Sequence, residues 1–194
     1  MIKIKNLSLA YGSERVIENF SLSIEKGERI VLMGPSGCGK SSLLSAIAGL
    51  LSPEKGSIKT EGRISFVFQE PRLLPWLSAI ENINVVLSDS SASLADAQKW
   101  LASVGLGVDC DKLPSELSGG MQQRLSIARA LAYDGDILLL DEPSKGMDAE
   151  TKAAVWEKLL RAAEGKTSIL VTHDEEEAEA FGGKIYRYCG KSFI

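Results

Sequence analysis

The chain has 194 residues, 44% of them apolar, which is enough for one α/β domain with an adequate core. A net charge of −4 argues against a general binder of nucleic-acid backbone, which carries a basic excess, and no stretch reaches the roughly 18–20 consecutive apolar residues of a membrane span. Cys38, Cys110 and Cys189 are odd in number and widely spaced, so they form neither a zinc pattern nor a disulfide framework and fit a reducing compartment.

In chain order, residues 2–9 and 20–24 alternate apolar with polar side chains and predict half-buried antiparallel strands. Breaks are expected at Tyr11-Gly12-Ser13 and at Glu25-Lys26-Gly27-Glu28. The first five residues alternate like a strand and lack the apolar core of a signal peptide, so a cytosolic location is expected. Residues 29–33 read as a buried strand and residues 40–50 as a helix, with Leu43, Leu44 and Ile47 on one face. A turn at 52–56 and a strand at 64–68 follow. From 77 to 101 apolar residues recur at helical spacing, interrupted by serines over 88–93. Residues 121–133 read as a helix, 136–140 as a buried strand, 149–163 as a helix and 168–171 as another buried strand. The acidic run 174–177 starts a last helix, where negative charge suits the dipole and a solvated face is the default reading. Alternating strands and helices imply a mainly parallel sheet with a helical insertion.

Between the strand at 29–33 and its helix stands Gly34-Pro35-Ser36-Gly37-Cys38-Gly39-Lys40-Ser41, a match to G-x-x-x-x-G-K-[ST] in the required strand–loop–helix setting. Glycines let successive backbone N–H groups curl around a phosphate, and the helix N-terminus adds partial positive charge. Lys40 is expected to reach the β- and γ-phosphates, Ser41 to ligate Mg²⁺, Ser42 to join the phosphate-binding set, and Cys38 to serve as a small loop residue. The strand Ile137-Leu138-Leu139-Leu140 ends in Asp141 and Glu142. Ligands gather at the carboxyl ends of parallel strands, so Asp141 is placed to hold Mg²⁺ and Glu142 to polarise the attacking water.

Leu117-Ser118-Gly119-Gly120-Met121-Gln122-Gln123-Arg124 is the most specific segment. Ser118 suits a helix N-cap, and Gly119 and Gly120 expose backbone N–H groups at the helix start. Together with the phosphate loop, this segment resembles the signature of the ATP-binding cassette (ABC) family. The resemblance implies a P-loop NTPase, RecA-like fold: a mainly parallel α/β core, an N-terminal antiparallel β subdomain and an inserted α-helical subdomain. The core would be 1–70 and 134–194, and the helical signature subdomain about 71–133. It further implies that Gln69 contacts Mg²⁺ or the attacking water, that His173, the only histidine, contacts the γ-phosphate, and that Tyr11 stacks on adenine. Asp148 keeps the aspartate of the loop after the acidic strand, whereas Lys145 and Gly146 depart from the family's usual Ala-Leu-Asp ending.

Two cassettes of this family meet head to tail, so the resemblance implies a homodimer or paired cassette with ATP at the interface. Ser118, Gly119 and Gly120 would then contact ATP bound to the partner chain. Pro71-Arg72-Leu73-Leu74-Pro75-Trp76 and the following Ala79-Ile80-Glu81-Asn82-Ile83 look like importers of nitrate, alkanesulfonates, taurine and related small solutes. There this region receives a membrane permease, and a separate solute-binding protein delivers cargo. Alternatively, Trp76 and its neighbours fill the helical subdomain's own core. On this reading the chain is an ATPase peripheral to the cytoplasmic face of the membrane, with no nucleic-acid partner. The roughly twenty residues after His173 leave no room for an appended regulatory domain. Exporter cassettes, and non-transport ABC ATPases of DNA or the ribosome, stand as alternatives. The latter would bring a coiled-coil insertion or a second cassette.

Overall fold

A computed structural model of the protein describes residues 1–11, 14–87 and 94–194, apart from the side chains of Tyr11 and Glu14. The expected turn at Gly12-Ser13, the serine-rich interruption at 88–93 and the stacking face of Tyr11 lie outside the described residues. The elements run β1 (Ile2–Tyr11), β2 (Glu14–Ile24), β3 (Arg29–Met33), α1 (Lys40–Ile47), β4 (Lys55–Thr60) and β5 (Ile64–Val67). Next come α2 (Ala79–Asn84), α3 (Leu94–Ser103) and α4 (Gly119–Tyr133), and then β6 (Ile137–Asp141), α5 (Ala149–Ala162), β7 (Thr167–Val171), α6 (Glu175–Phe181), β8 (Lys184–Cys189) and β9 (Ser192–Phe193). The chain divides into two compact units.

The first unit comprises Met1–Phe66, Asp136–Glu142 and Ala163–Ile194. An antiparallel sheet ordered β2-β1-β4 is built on the expected alternation, with register changes along β1. Ile2 and Ile4 are buried, as are Leu7 and Leu9, and the pairing shifts between Ile4 and Leu7. Asn6 takes φ 47 there, and its N–H bonds Ser21 Oγ at 2.8 Å. The extra residue of this bulge lets both apolar pairs face the core. Tyr11 is the last residue of β1, not part of the turn.

The second sheet runs β5-β6-β7-β3-β8-β9. β3, β6 and β7 are buried along almost their whole length, as expected of parallel strands covered on both faces. Leu32 pairs with Val171, and Val171 with Asp141, so the carboxyl ends of three strands stand in one row. Three strands escape the sequence pattern. β4 starts inside the expected 52–56 turn, and β8 and β9 carry charged or exposed residues that mask their alternation. Phe193 of β9 nonetheless reaches the core, edge-on to Phe20 at 5.7 Å and to Tyr188 at 5.5 Å.

The second unit comprises Val67–Gly135 and Pro143–Ala162. Its core is Ala79, Ile83, Leu101, Leu106, Leu117 and Leu125, with smaller neighbours. Ser78 and Glu81 form a capping box that starts α2, and α4 begins two residues earlier than the apolar spacing suggests because Ser118 caps it. Among the described residues no helix is long and apolar enough to cross a membrane.

Candidate active site

β3 feeds the glycine-rich loop, and Gly39 turns the chain into α1 at φ 99. A side chain at Gly39 would strain that backbone and bring its Cβ to 2.9 Å from Val16 Cγ2. Among the described residues no side chain caps the α1 N-terminus, in contrast to α2, α4 and α6, which are capped by Ser78, Ser118 and Asp174. Its first N–H groups are thus left to the loop and to an anion. Gly34 and Gly39 are half-buried, Pro35, Ser36 and Gly37 are exposed, and Cys38 is buried. Lys40 is buried at the first position of α1, and its Nζ donates to Gly34 O at 2.7 Å and Pro35 O at 2.9 Å. Cys38 Sγ lies 3.9 Å from the same ammonium, which makes the cysteine part of the loop's packing. Ser41 is exposed and Ser42 half-buried one and two positions further on.

At the ends of β6 and β7, Asp141 is buried and Glu142 leaves the strand with φ 44. That left-handed conformation is rare for a side chain with a Cβ, and such residues concentrate where function requires a set geometry. Glu142 N donates to Val171 O at 2.9 Å, which fixes the turn. His173 Nδ1 stands 3.5 Å from Glu142 Oε1, with the carboxylate 13% and the imidazole 72% exposed. The loop bearing His173 is tied down by its neighbours. Thr172 Oγ1 donates to the buried Glu177 Oε2 at 2.6 Å, and Asp174 accepts from Glu176 and Glu177 N–H to start α6. The acidic run is therefore partly structural rather than a solvated face, and Thr172 and Glu177 are supports that composition alone hides. Lys40, Ser41, Asp141, Glu142 and His173 all belong to the first unit.

Tyr11 also belongs to the first unit, whereas Gln69, Ser118, Gly119, Gly120 and Asp148 lie in the second. Gln69 is half-buried two residues after β5. Ser118 Oγ accepts from Met121 N–H at 3.3 Å, while a side chain added at Gly119 or Gly120 would meet nothing among the described residues within 4 Å. Asp148 caps α5: Thr151 N donates to Oδ1 at 2.9 Å and Thr151 Oγ1 to Oδ2 at 2.8 Å. These bonds, the Thr151 N–H first, hold the Asp148 carboxyl below its ordinary value. Lys145 is exposed, and Gly146 at φ 75 supplies the left-handed turn the loop needs. Sequence reasoning missed the polar side chains buried behind these loops. Asn82 accepts from Leu74 N–H at 2.9 Å and donates to Leu74, Leu77 and Ser78 carbonyls, which folds the Leu-Leu-Pro-Trp segment. Trp76 on that segment is 71% exposed, so it does not fill the unit's core.

A family profile described as "ABC transporter" matches residues 17–145. The chain belongs to the ABC transporter family. It is 41% identical over 197 residues to the Synechocystis "Bicarbonate transport ATP-binding protein CmpD", covering 91% of this chain and 70% of that protein. It is 44% identical over 172 residues to "Aliphatic sulfonates import ATP-binding protein SsuB 1" of Pseudomonas savastanoi, covering 87% of this chain and 72% of the other. Among solved structures, the ATP-binding cassette MJ0796, described as a dimeric post-hydrolysis state bound to ADP and Pi, superposes with a TM-score of 0.89. The two share 32% identity, over 100% of this chain and 96% of that one. The fold is that of a P-loop NTPase, and this ABC cassette binds and hydrolyses ATP.

Proposed function

We propose that this cassette energises import of a small solute through a separate membrane permease, working as a dimer with ATP at the interface. The observation that carries the catalytic part is the row formed by the glycine loop, Asp141, Glu142 and His173 at the carboxyl ends of adjacent strands. Lys40 donates to the β- and γ-phosphates, with Gly34, Pro35, Ser36, Gly37, Cys38, Gly39, Ser41 and Ser42 around the chain of phosphates. Tyr11 takes the adenine. Glu142 accepts the proton of the attacking water, and His173, within reach of that carboxylate, contacts the γ-phosphate. Ser118, Gly119, Gly120 and Asp148 serve the nucleotide of the partner chain across a two-fold interface.

A Mg²⁺ ion fits the donors present. Ser41, Gln69 and Asp141 offer hard oxygen ligands. Among the described residues no group of three or more His, Cys, Asp or Glu could form an all-protein metal cage. In phosphate sites Mg²⁺ is commonly bound by one or two carboxylates together with substrate phosphates and water, and Asp141 is the carboxylate among these donors. When bound it neutralises charge that develops on the transferring phosphoryl group.

Import is supported by the two relatives named for bicarbonate transport and sulfonate import. A permease partner is supported by the 71% exposure of Trp76 on a segment whose backbone is locked by Asn82. The protein would then sit at the cytoplasmic face of the membrane, with a separate binding protein choosing the solute. The test is a pair of variants. Glu142→Gln keeps ATP affinity, lowers hydrolysis by about 10²–10⁴-fold and accumulates an ATP-bound dimer in size-exclusion chromatography. Ser118→Arg binds ATP but neither dimerises nor hydrolyses. Parental turnover in either variant would remove that residue from its role.

A further inference from the structure

We propose that Gln123 and Arg129 are positioning residues that clamp the segment after β5 to α4, so that Gln69 and the loop bearing Trp76 form one body with the signature helix. Gln123 is 3% exposed, and its Nε2 donates to Phe68 O at 3.2 Å and Pro143 O at 3.3 Å. Phe68 immediately precedes Gln69, and Pro143 immediately follows Glu142. A primary amide has two N–H donors, and here each serves one carbonyl. Glutamate has the same shape and no donor, and leucine has neither. Gln123 Oε1 is buried and accepts no hydrogen bond among the described residues.

Arg129 repeats the arrangement six residues along α4. Its Nη2 donates to Arg72 O at 2.5 Å and its Nη1 to Asn82 Oδ1 at 3.3 Å. Burial lowers its proton affinity, and among the described residues no carboxylate makes an ion pair with it. The charge is thus devoted to a backbone carbonyl and an amide. The Arg72 guanidinium lies 4.2 Å from the Phe68 ring centroid, which closes the stretch between the two anchored carbonyls. Asn82 holds the Leu74 and Leu77 carbonyls beyond. Four carbonyls along 68–77 are therefore gripped by side chains of α2 and α4, with Gln69 inside the grip and Trp76 near its far end. A displacement of α4 that starts at Ser118 is delivered to both.

The use of this clamp in coupling rests on the ATP-sandwich reading, but the clamp itself is testable without it. Hydrogen exchange followed by mass spectrometry on the full chain compares the parent with Gln123→Leu, Gln123→Glu and Arg129→Lys. We expect amides of 69–77 to exchange at least about tenfold faster in both Gln123 variants while α3 and β3 keep parental rates. Arg129→Lys, which retains the charge but places its donors on a single nitrogen, gives a smaller acceleration confined to 72–77. In steady state the Gln123 variants lose about tenfold or more in kcat with ATP affinity within about twofold of parent. Unchanged exchange over 69–77, or acceleration spread equally through α3, overturns the proposal. Should Gln123→Leu fail to fold, the Gln123→Glu and Arg129→Lys profiles decide it. If the parent itself hydrolyses no ATP, the functional reading fails while the exchange result still judges the clamp.

Discussion

The two units hold their functional groups by different means. In the first, backbone conformation does it: Gly39 at φ 99, Glu142 at φ 44 and three parallel strands in register set the phosphate loop, the carboxylates and His173. In the second, side chains grip carbonyls: the buried Asn82 and Gln123 and the half-buried Arg129 fold a segment that has no regular structure of its own. Backbone-built sites are rigid and chemically specific, whereas side-chain-built loops can be released by changing one amide. A catalytic core benefits from the former and a mechanical relay from the latter.

Three substitutions sharpen that contrast. Gly39→Val attacks the backbone-built site. It forces a β-branched residue into a left-handed position against Val16, and ATP affinity measured by fluorescence titration falls by about a hundredfold or more, with Lys40 itself intact. Asn82→Leu attacks the side-chain-built loop. It takes the side-chain partner from the Leu74 N–H and the Leu77 carbonyl and a second bond from the Leu74 and Ser78 carbonyls, which keep backbone donors. It lowers urea-unfolding stability by about 2 kcal/mol and leaves ATP affinity near parental. A loss of nucleotide affinity equal to that of Gly39→Val would erase the distinction drawn here. Smallest is the effect of Asp148→Asn on acid sensitivity. The folded Asp148 carboxyl sits below the ordinary 3.8, so its ionised form contributes stability above that value, which is lost as pH falls through the depressed one. Asparagine keeps a capping oxygen and does not titrate. Thermal melts between about pH 5 and pH 2 are therefore flatter for the variant, and parallel curves would mean that the cap has no electrostatic part.

Much of the first unit was legible in the sequence, because its strands are either strictly alternating or continuously apolar and its loop chemistry has a fixed spacing. The row of Lys40, Asp141, Glu142 and His173 follows from strand ends that any parallel sheet brings together. What stayed hidden has physical reasons. The φ of Glu142 is set by its bond to Val171 O, a partner 29 positions away that local propensity does not see. β8 and β9 look like polar loop because one face of β8 is solvent-exposed and β9 is two residues long. Gln123 and Arg129 read as ordinary polar helix positions, since only the tertiary fold tells which carbonyls surround them. Trp76 could have faced inward or outward on sequence grounds, and Asn82 decides the matter by folding its loop from below.

The contact of Phe193 with Phe20 and Tyr188 bears on the order in which this protein is assembled during translation. β1 and β2 are synthesised well over a hundred residues before β9, so Phe20 stays uncovered, and the first unit open to chaperones, until β9 has left the ribosome. The helical core, drawn from a continuous stretch between Leu73 and Ala132, needs no such wait and can consolidate while its companion is still incomplete.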